Sequence, residues 1–502
     1  MFFHSELMKG RKPMNKDLKE NVRPALIYTA STVLMRLGQV ALMPLLWHKL
    51  TLGDFGVVGV FEIVIGVLGP VWGLSLPASV SRMYCEWPKN ERKNRLGTIW
   101  VANWGSIIVL GVSSMLLLWL VAPYAFPNIP FYPYIALGAS YGILTSMREL
   151  VVAALRIKQM AWAYFAFSLV AFLLIVASVV VFVLVLDWGL YGYLVALNAT
   201  GAVMAVVCAV IMIRISRPCV DWASIKEACH FSLPLVPSTL IRSLMGVTDR
   251  ILLQHFVSME ALGLYSLCVK FTAVVDVAHS ALKMSFGPFI YRTLSENKVT
   301  APMRIGRMRI FYMVPVLAVG IGVAIFVRVF VTLAGQPAYY PLVTYVPLFA
   351  GLTVIGALNA YFGTGLFLSK RTGLLWIPAV MQFAVLITAN LFLIPPFQLI
   401  GVVISRYLAV IVFTSVVILL SEKQYPIPTS WTKVGCLMAV LGTVIVLTFL
   451  TGARSGTAGL VFDACLFSGS ALALLLIALG RNGAAILMQP LSVWSDFRRS
   501  AH

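Results

Sequence analysis

The chain has 502 residues, of which 60% are hydrophobic and 11% are charged. Because a soluble domain carries about 25% charged residues, this composition excludes an ordinary soluble protein. The formal net charge of +20 does not indicate nucleic-acid binding, since the basic residues concentrate in alternate loops between apolar segments.

The apolar residues form repeated runs that are long enough to cross about 30 Å of hydrocarbon as α-helices. Ten-residue segments of alternating polarity, typical of transmembrane barrels, do not occur. We therefore predict an all-α polytopic membrane protein. Its roughly fourteen spans are predicted at 24–46, 55–77, 97–121, 133–155, 162–186, 189–213, 232–254, 261–285, 309–331, 343–368, 373–394, 399–420, 434–451 and 459–480.

These spans divide into two pseudo-symmetric six-helix lobes and two additional C-terminal helices. The predicted divisions are a cytoplasmic tail (1–23), an N-lobe (24–213), a cytoplasmic linker (214–231) and a C-lobe (232–420). The last division (421–502) holds the two C-terminal helices and a cytoplasmic tail.

Positive charge distinguishes the two sides of the membrane. On one side the loops contain Lys49 and Arg454 as their only basic residues, whereas the segments on the other side are rich in Lys and Arg. The positive-inside rule therefore predicts that both termini are cytoplasmic. The basic loops are also expected to attract anionic lipid headgroups.

The first predicted span carries a polar stripe. Thr29, Thr32, Arg36 and Gln39 follow one another at i, i+3, i+7 and i+10, which places them on one helical face. A charge at bilayer depth costs about 3 kcal/mol on insertion scales, so it usually faces a water-filled cavity or a partner. We predict that Arg36, with Thr32 and Gln39, lines a cavity and binds an anion. The alternative is a structural Arg36 paired with Glu62.

The second predicted span carries small residues along one side, at Gly59, Gly66, Gly69 and Gly73. Such spacing favours close packing of membrane helices. Glu62 lies on the same side, and is therefore predicted to be either the partner of the first-span arginine or a protonatable site.

The seventh predicted span places Ser238, Arg242 and Asp249 on one face, at i, i+4 and i+11. Arg242 is predicted to bind an anion, and Asp249 is a candidate for ion coupling. Arg250 points to another face near the outer end, where we expect it to snorkel toward the headgroups. Pro234 and Pro237, in the first turns, are expected to bend the helix.

The eighth predicted span has the densest polar face, with Thr272, Asp276, His279 and Lys283 at i, i+4, i+7 and i+11. Asp276 and His279 are predicted to form a protonatable pair, since such a pair titrates near neutral pH. Lys283 is predicted to guard the cytoplasmic mouth. Alternatively, Asp276 is a counter-ion for Lys283 or for the arginine of the preceding span. Lys270 lies about 120° away and is assigned to another wall of the cavity.

Other charged residues near span ends are given minor roles. Arg148 and Glu149 are predicted to belong to the inner mouth, and Arg328 and Arg406 are expected to snorkel. The sequence has no P-loop and no HExxH motif, so we predict that the protein is not an enzyme and binds no cofactor. An H⁺ or Na⁺ gradient is the expected source of energy. The seven cysteines form no CxxC pair, and neither a disulfide framework nor a metal site is predicted.

The two halves of the chain show an internal repeat. An offset of 207 residues aligns LTLGDFGVVGVFE at 50–62 with VSMEALGLYSLCV at 257–269, and it matches Gly56 with Gly263. The equivalence of the first and seventh spans indicates parallel six-helix repeats, an arrangement that places a substrate site between the halves of many transporters.

One part of the sequence resembles a known family. The segment FSLPLVPSTLIRSLMGVTDRILLQHFVSMEALGLYSLCVKF at 231–271 has a proline-bearing helix, an aspartate near its outer end, and the pattern A-L-G-x-Y-S opening the next helix. The first half contains the corresponding L-x-x-x-D-F-G pattern within 50–62. These segments resemble Wzx-type O-antigen and lipid-linked-oligosaccharide flippases, the polysaccharide exporter family of the MOP superfamily. Lipid II flippases and multidrug MATE transporters are related to that family.

The resemblance implies two helical lobes that alternate access. The cargo would be a polyprenyl-diphosphate-linked glycan, moved from the cytoplasmic to the periplasmic leaflet of the bacterial inner membrane. It also implies membrane lipids, a polysaccharide polymerase and a chain-length complex as partners, and no nucleic acid. Arginines of the first helices bind the diphosphate in related lipid II flippases, and Arg36 is the residue that carries over.

Two other classes of protein stay open at this point. A MATE-like antiporter of cations requires an acidic cavity, which Arg36, Arg242 and Lys270 disfavour, although Glu62 and Asp276 are compatible with it. A membrane glycan polymerase or ligase is disfavoured by the short outer loops, which leave no room for a catalytic domain.

Overall fold

The structure is a computed structural model, and it describes residues 27–28, 30–31, 33–34, 42–126, 129–296, 300–369, 371–451 and 457–479. These residues form helices and connecting turns, with no strand among them. The chain divides into two compact units, and the boundary falls between Ser266 and Leu267.

Besides the helical residues at 27–28, 30–31 and 33–34, unit 1 contains nine helices with described bounds and the first turns of a tenth. They are α1 (Met43–Trp47), α2 (Leu52–Trp72), α3 (Leu76–Met83), α4 (Arg92–Ala125), α5 (Ala136–Ile157), α6 (Ala161–Val179), α7 (Gly189–Ile215), α8 (Trp222–Ser232), α9 (Leu235–Phe256) and the start of α10 (Met259–Glu296). Short π-helical turns, Phe131–Ile135 and Val180–Val185, precede α5 and follow α6.

Unit 2 contains the rest of α10 and six further described helices. They are α11 (Ala301–Ala334), α12 (Pro341–Phe362), α13 (Thr364–Leu368), α14 (Trp376–Gln424), α15 (Trp431–Thr451) and α16 (Thr457–Leu479).

The predicted class of protein is confirmed, because ten helices in the described part of the chain are long and apolar enough to cross a membrane. The surface of α4 illustrates this character. Val112, Leu116 and Trp119 follow one another along one face and are 66%, 63% and 57% exposed. An exposed apolar stripe of this length fits a helix that faces lipid.

The second predicted span is shorter than expected, since α2 ends at Trp72 and a separate helix follows. Its start is fixed by a capping box, in which Thr51 N–H donates to Asp54 Oδ2 (2.8 Å) and Asp54 N–H donates to Thr51 Oγ1 (3.2 Å). Beyond the end of α2, Leu74 and Ser75 adopt positive φ values of 47° and 52°. Left-handed residues cannot continue a right-handed helix, so the predicted continuous span 55–77 is wrong in its last turn.

The predicted turn between the eleventh and twelfth spans is confirmed within α14. Gln398 has non-helical φ and ψ of 51° and −127°, just after Pro395 and Pro396. The two arms then approach closely, because a Cβ added at Gly401 would meet the carbonyl oxygen of Leu393. α14 is therefore two helices joined by a tight turn.

The internal repeat has a structural counterpart within unit 1. A Cβ added at Gly56 would meet the carbonyl oxygen of Met259, and a Cβ added at Gly263 would meet that of Leu52. The offset of 207 residues converts one contact into the other, since it relates Leu52 to Met259 and Gly56 to Gly263. The aligned segments thus pack against each other reciprocally at the starts of α2 and α10.

Candidate functional site

The central polar contact of unit 1 is an ion pair between α2 and α9. Arg250 Nη2 donates to Glu62 Oε2 over 2.6 Å, and the two side chains are 12% and 33% exposed. Glu62 lies in the middle of α2, a span of high hydropathy, so a paired charge is the favourable arrangement at this depth.

A second polar contact lies next to this ion pair. Asp249 is fully buried, and Tyr265 Oη donates to its Oδ2 over 3.2 Å, which joins α9 to the start of α10. The guanidinium of Arg250 also lies 5.8 Å from the centroid of the Tyr265 ring, within cation–π range. We define Glu62, Asp249, Arg250 and Tyr265 as the polar cluster of unit 1.

The cluster corrects the expectation for Arg250. Snorkelling would place its guanidinium in the headgroup region, whereas the structure pairs it with Glu62. The reason lies in the neighbouring helix α2, because its carboxylate lies 2.6 Å from the guanidinium and is a charged partner. The periodicity of α9 alone does not reveal this partner. Glu62, which the sequence assigned to ion coupling or to Arg36, thus has Arg250 as a partner.

We expect Glu62→Gln to lower the free energy of unfolding by about 1 kcal/mol, because the amide keeps an acceptor for Arg250 but removes the charge. Thermal unfolding in detergent measures the change. Glu86→Gln is the control, since Glu86 forms an exposed pair with Arg82 and should shift stability by less than about 0.5 kcal/mol. Equal shifts in the two variants would contradict the importance of the Glu62 pair.

A helix break at the end of α2 leaves backbone carbonyl groups without partners in their own helix, and side chains of α4 donate hydrogen bonds to them. Asn103, which is fully buried, donates from Nδ2 to the Gly73 carbonyl over 3.1 Å, and Ser106 Oγ donates to the Trp72 carbonyl over 3.0 Å. Irregular backbone at membrane depth is tolerated where protein groups satisfy it or where it borders a cavity.

A cavity of about 410 Å³ lies beside this break, bordered by α2, α3, α5 and α9. Its polar lining includes Ser75, Thr145, Ser146, Thr239 and Glu149. Glu149 was assigned to a mouth of the protein from its position near a span end, and in the structure it is an exposed residue that borders this cavity.

The predicted residues of the eighth span lie on α10 within unit 2. Asp276 and Lys283 are exposed, Lys270 is half-buried, and the His279 ring lies 5.5 Å from the Tyr361 ring at 90°. Among the described residues, His279 Nδ1 has no hydrogen-bond partner. Pairing of Asp276 with His279 stays a prediction.

Some predicted residues cannot be placed. Thr32, Arg36 and Gln39 lie outside the described residues. Arg242 falls within α9, two turns after Leu235, but its side chain is not described.

Unit 2 contains a buried ion pair that the sequence did not suggest. Arg328 Nε and Asp463 Oδ2 are 3.2 Å apart, and Arg328 Nη2 also donates to the Thr451 carbonyl over 3.0 Å. The expectation that Arg328 snorkels is therefore wrong. The one feature of the sequence that could have indicated this ion pair is Asp463, a single carboxylate within an otherwise apolar run.

The sequence G-A-S-Y-G at 138–142 has the spacing of a hydrolase nucleophile motif, but it lies inside α5. Ser140 Oγ lies 2.7 Å from Asn198 Oδ1 and 2.9 Å from the Leu137 carbonyl oxygen, and its single proton is donated within this pair of acceptors. The strand–turn–helix context of a nucleophile elbow does not occur here.

Several solved membrane proteins share the fold of this chain. The chain is similar to the lipid II flippase MurJ in an inward closed conformation, with a TM-score of 0.66, 10% identity, and coverage of 91% of this chain and 99% of that chain. It is also similar to an inward-facing multidrug resistance MATE family transporter of the MOP superfamily, with a TM-score of 0.52, 14% identity, and coverage of 84% and 96%.

A third similar structure is the MATE multidrug transporter DinF-BH, with a TM-score of 0.51, 16% identity, and coverage of 83% and 98%. At these identities the likeness shows the fold alone, which is a multi-pass helical membrane fold. No curated protein sequence matches the chain. The family model described as polysaccharide biosynthesis protein matches residues 49–337, more than half of the chain, and the protein belongs to that family.

Proposed function

We propose that this protein is a flippase for a polyprenyl-diphosphate-linked oligosaccharide, such as an O-antigen or another surface polysaccharide repeat unit. It moves this cargo from the cytoplasmic to the periplasmic leaflet of the bacterial inner membrane, with both of its termini in the cytoplasm. The observation that carries the proposal is the family match to polysaccharide biosynthesis proteins in a chain with the fold of a lipid II flippase.

The cost of moving a charged, sugar-bearing lipid headgroup through hydrocarbon supports the assignment of a flippase function. A diphosphate and a chain of sugars cannot enter hydrocarbon without losing the hydrogen bonds that water supplies. A protein that carries polar and charged groups inside apolar helices can replace that water, and the polar cluster of unit 1 shows that this chain tolerates such groups at membrane depth. The polyprenyl tail needs no such replacement and can stay in lipid.

We assign the diphosphate to basic residues within the spans, namely Arg36, Arg242 and Lys270, with Thr32 and Gln39 as polar neighbours and Lys283 at the cytoplasmic mouth. Arg250 is not among them, because Glu62 already neutralises it. We assign coupling to an H⁺ or Na⁺ gradient to Asp249, Asp276, His279 and Glu62. A polysaccharide polymerase and a chain-length complex are the proposed downstream partners.

We expect Arg242→Ala and Arg36→Ala each to slow transbilayer movement of a fluorescent polyprenyl-diphosphate oligosaccharide by about tenfold or more. A hydrogen bond between an arginine and a phosphate contributes about 1.5–3 kcal/mol. Proteoliposomes made with wild-type and variant protein measure the rates, and thermal unfolding verifies that each variant is folded.

Arg307→Ala is the matched control, since Arg307 is an exposed arginine at the start of α11. It should retain the wild-type rate. Arginine variants that fold and still match the wild-type rate would contradict the assignment of the diphosphate to these residues.

A second candidate function is antiport of organic cations. The observation that favours it is Glu149, an exposed carboxylate on the cavity of unit 1. Uptake of ethidium into the same proteoliposomes, driven by a pH gradient, tests this alternative.

A further inference from the structure

The cavity of unit 1 has no role in the diphosphate assignment above, yet it is the size of a ligand site. Its volume of about 410 Å³ lies within the range of roughly 300–1,000 Å³ that is typical of small-molecule sites. It combines apolar side chains, such as Ile65 and Leu235, with hydroxyls and one carboxylate.

Three of the four hydroxyls in the described lining donate hydrogen bonds to backbone carbonyl groups of their own helices. Thr145 Oγ1 and Ser146 Oγ each donate to the Gly142 carbonyl over 2.9 Å, and Thr239 Oγ1 donates to the Val236 carbonyl over 2.8 Å. Because a hydroxyl has one proton and two lone pairs, these three groups, bonded in this way, present lone pairs that accept hydrogen bonds from a ligand.

The charged group of the lining is also an acceptor. Glu149 is exposed, lies one turn beyond Thr145 and Ser146 on α5, and forms no ion pair with a basic side chain among the described residues. An ionised carboxylate accepts hydrogen bonds and repels anions. A diphosphate placed here would meet acceptors of its own kind among the described lining residues, which disfavours that part of the cargo at these groups.

A sugar ring matches both features of the lining. Its hydroxyls donate hydrogen bonds, and its C–H faces can pack on apolar side chains such as Ile65 and Leu235. An organic cation without N–H or O–H groups would engage Glu149 but would donate no hydrogen bond to the three hydroxyl oxygens.

We propose that the cavity bordered by α2, α3, α5 and α9 binds a sugar of the lipid-linked glycan, that this sugar is neutral or carries an amino group, and that Glu149 excludes acidic sugars. This inference rests on the proposed flippase function and deepens it. The diphosphate, assigned to basic residues, and the sugar, assigned to this cavity, then contact groups of opposite character. The cavity, and not the diphosphate site, then discriminates between glycans.

The test uses two fluorescent polyprenyl-diphosphate lipids in proteoliposomes of the full chain, one bearing N-acetylglucosamine and the other bearing glucuronate. We expect the wild type to move the neutral lipid about tenfold faster, because like charges brought together suppress the wrong partner. Glu149→Gln should bring the two rates to within about twofold, since the repulsion is gone, and Glu149→Lys should reverse the preference.

Glu86→Gln is the control, as Glu86 is an exposed carboxylate outside the cavity, and it should keep the wild-type ratio. Should Glu149→Lys fail to fold, the ratio in Glu149→Gln decides alone. A wild type that moves both lipids, with a ratio that neither Glu149 variant changes, would overturn the sugar site and leave the flippase function intact. A wild type that moves neither lipid but transports ethidium in a Glu149-dependent way would overturn both.

Discussion

Asp463→Ala should lower the free energy of unfolding by about 3–5 kcal/mol, the cost of removing one partner from a buried ion pair. Asp463 and Arg328 are only 3% and 6% exposed, and their side chains meet at 3.2 Å. The alanine would leave the guanidinium buried beside Thr451, whose carbonyl and hydroxyl oxygens lie 3.0 and 3.2 Å from Nη2, without the charge of its carboxylate partner.

The consequence extends to the two C-terminal spans. Arg328 lies on α11, Thr451 ends α15 and Asp463 lies on α16, so one guanidinium joins three helices of unit 2. We infer that α15 and α16 are an integral part of unit 2, and that losing the carboxylate loosens both.

Thermal unfolding in detergent, followed by intrinsic fluorescence, measures the effect of Asp463→Ala. The double variant Arg328→Met with Asp463→Leu should recover most of the stability, because apolar side chains can replace a buried ion pair without a large cost. Glu86→Ala, which breaks the exposed pair with Arg82, should change stability by less than about 1 kcal/mol. If Asp463→Ala unfolds like Glu86→Ala, the buried pair is not the connection described here.

Gly263→Val should be similarly harmful, with an expected loss on the order of 3 kcal/mol, the upper part of the range for overpacked sites. An added Cβ at this position would meet the Leu52 carbonyl oxygen and lie 3.0 Å from the Gly56 nitrogen. These are backbone atoms, so no side-chain rotation relieves the contact and the two helix starts must separate.

The reciprocal contact predicts a specific pattern of coupling. Gly56→Val should cost about as much as Gly263→Val, since its Cβ would meet the Met259 carbonyl oxygen across the same contact. The double variant should cost less than the sum, because the first substitution already separates the helices. Gly246→Ala is the control, as nothing lies within 4 Å of its added Cβ. Additive losses at the two positions would contradict a shared contact.

The sequence was sufficient for the class of fold and for much of its periodicity. Long apolar runs predicted membrane helices, and the gap between the predicted spans 373–394 and 399–420 matches the turn at Gln398 inside α14. The alignment that relates Gly56 to Gly263 also relates Gly59 to Ser266, and an added Cβ at Gly59 would indeed meet the Ser266 hydroxyl. Residues related by the repeat therefore face each other in unit 1.

The partners of the charged residues were harder to predict, for a physical reason. Helical periodicity shows which residues share a face, but it does not show which helix packs on that face. Arg250 was expected to snorkel and pairs with Glu62, 188 positions away, and Arg328 was expected to snorkel and pairs with Asp463. A choice between solvent and a distant carboxylate depends on tertiary packing.

Sequence analysis did not predict the break after α2, because no single residue at this position indicates the end of a helix. Leu74 and Ser75 are not typical left-handed residues, and the conformation is held by Asn103 and Ser106 from α4. The cavity that follows the break was consequently beyond sequence analysis, although Glu149 was assigned to a mouth.

The most direct test of the central claim compares two cargoes in one preparation of wild-type proteoliposomes. A fluorescent polyprenyl-diphosphate oligosaccharide is placed in the outer leaflet and its movement is followed by chemical quenching, and ethidium uptake is followed in a parallel sample with the same ion gradient. We predict movement of the lipid-linked oligosaccharide well above that of protein-free liposomes, without ethidium uptake. Ethidium uptake with no movement of the oligosaccharide lipid would contradict the flippase assignment and support a cation antiporter.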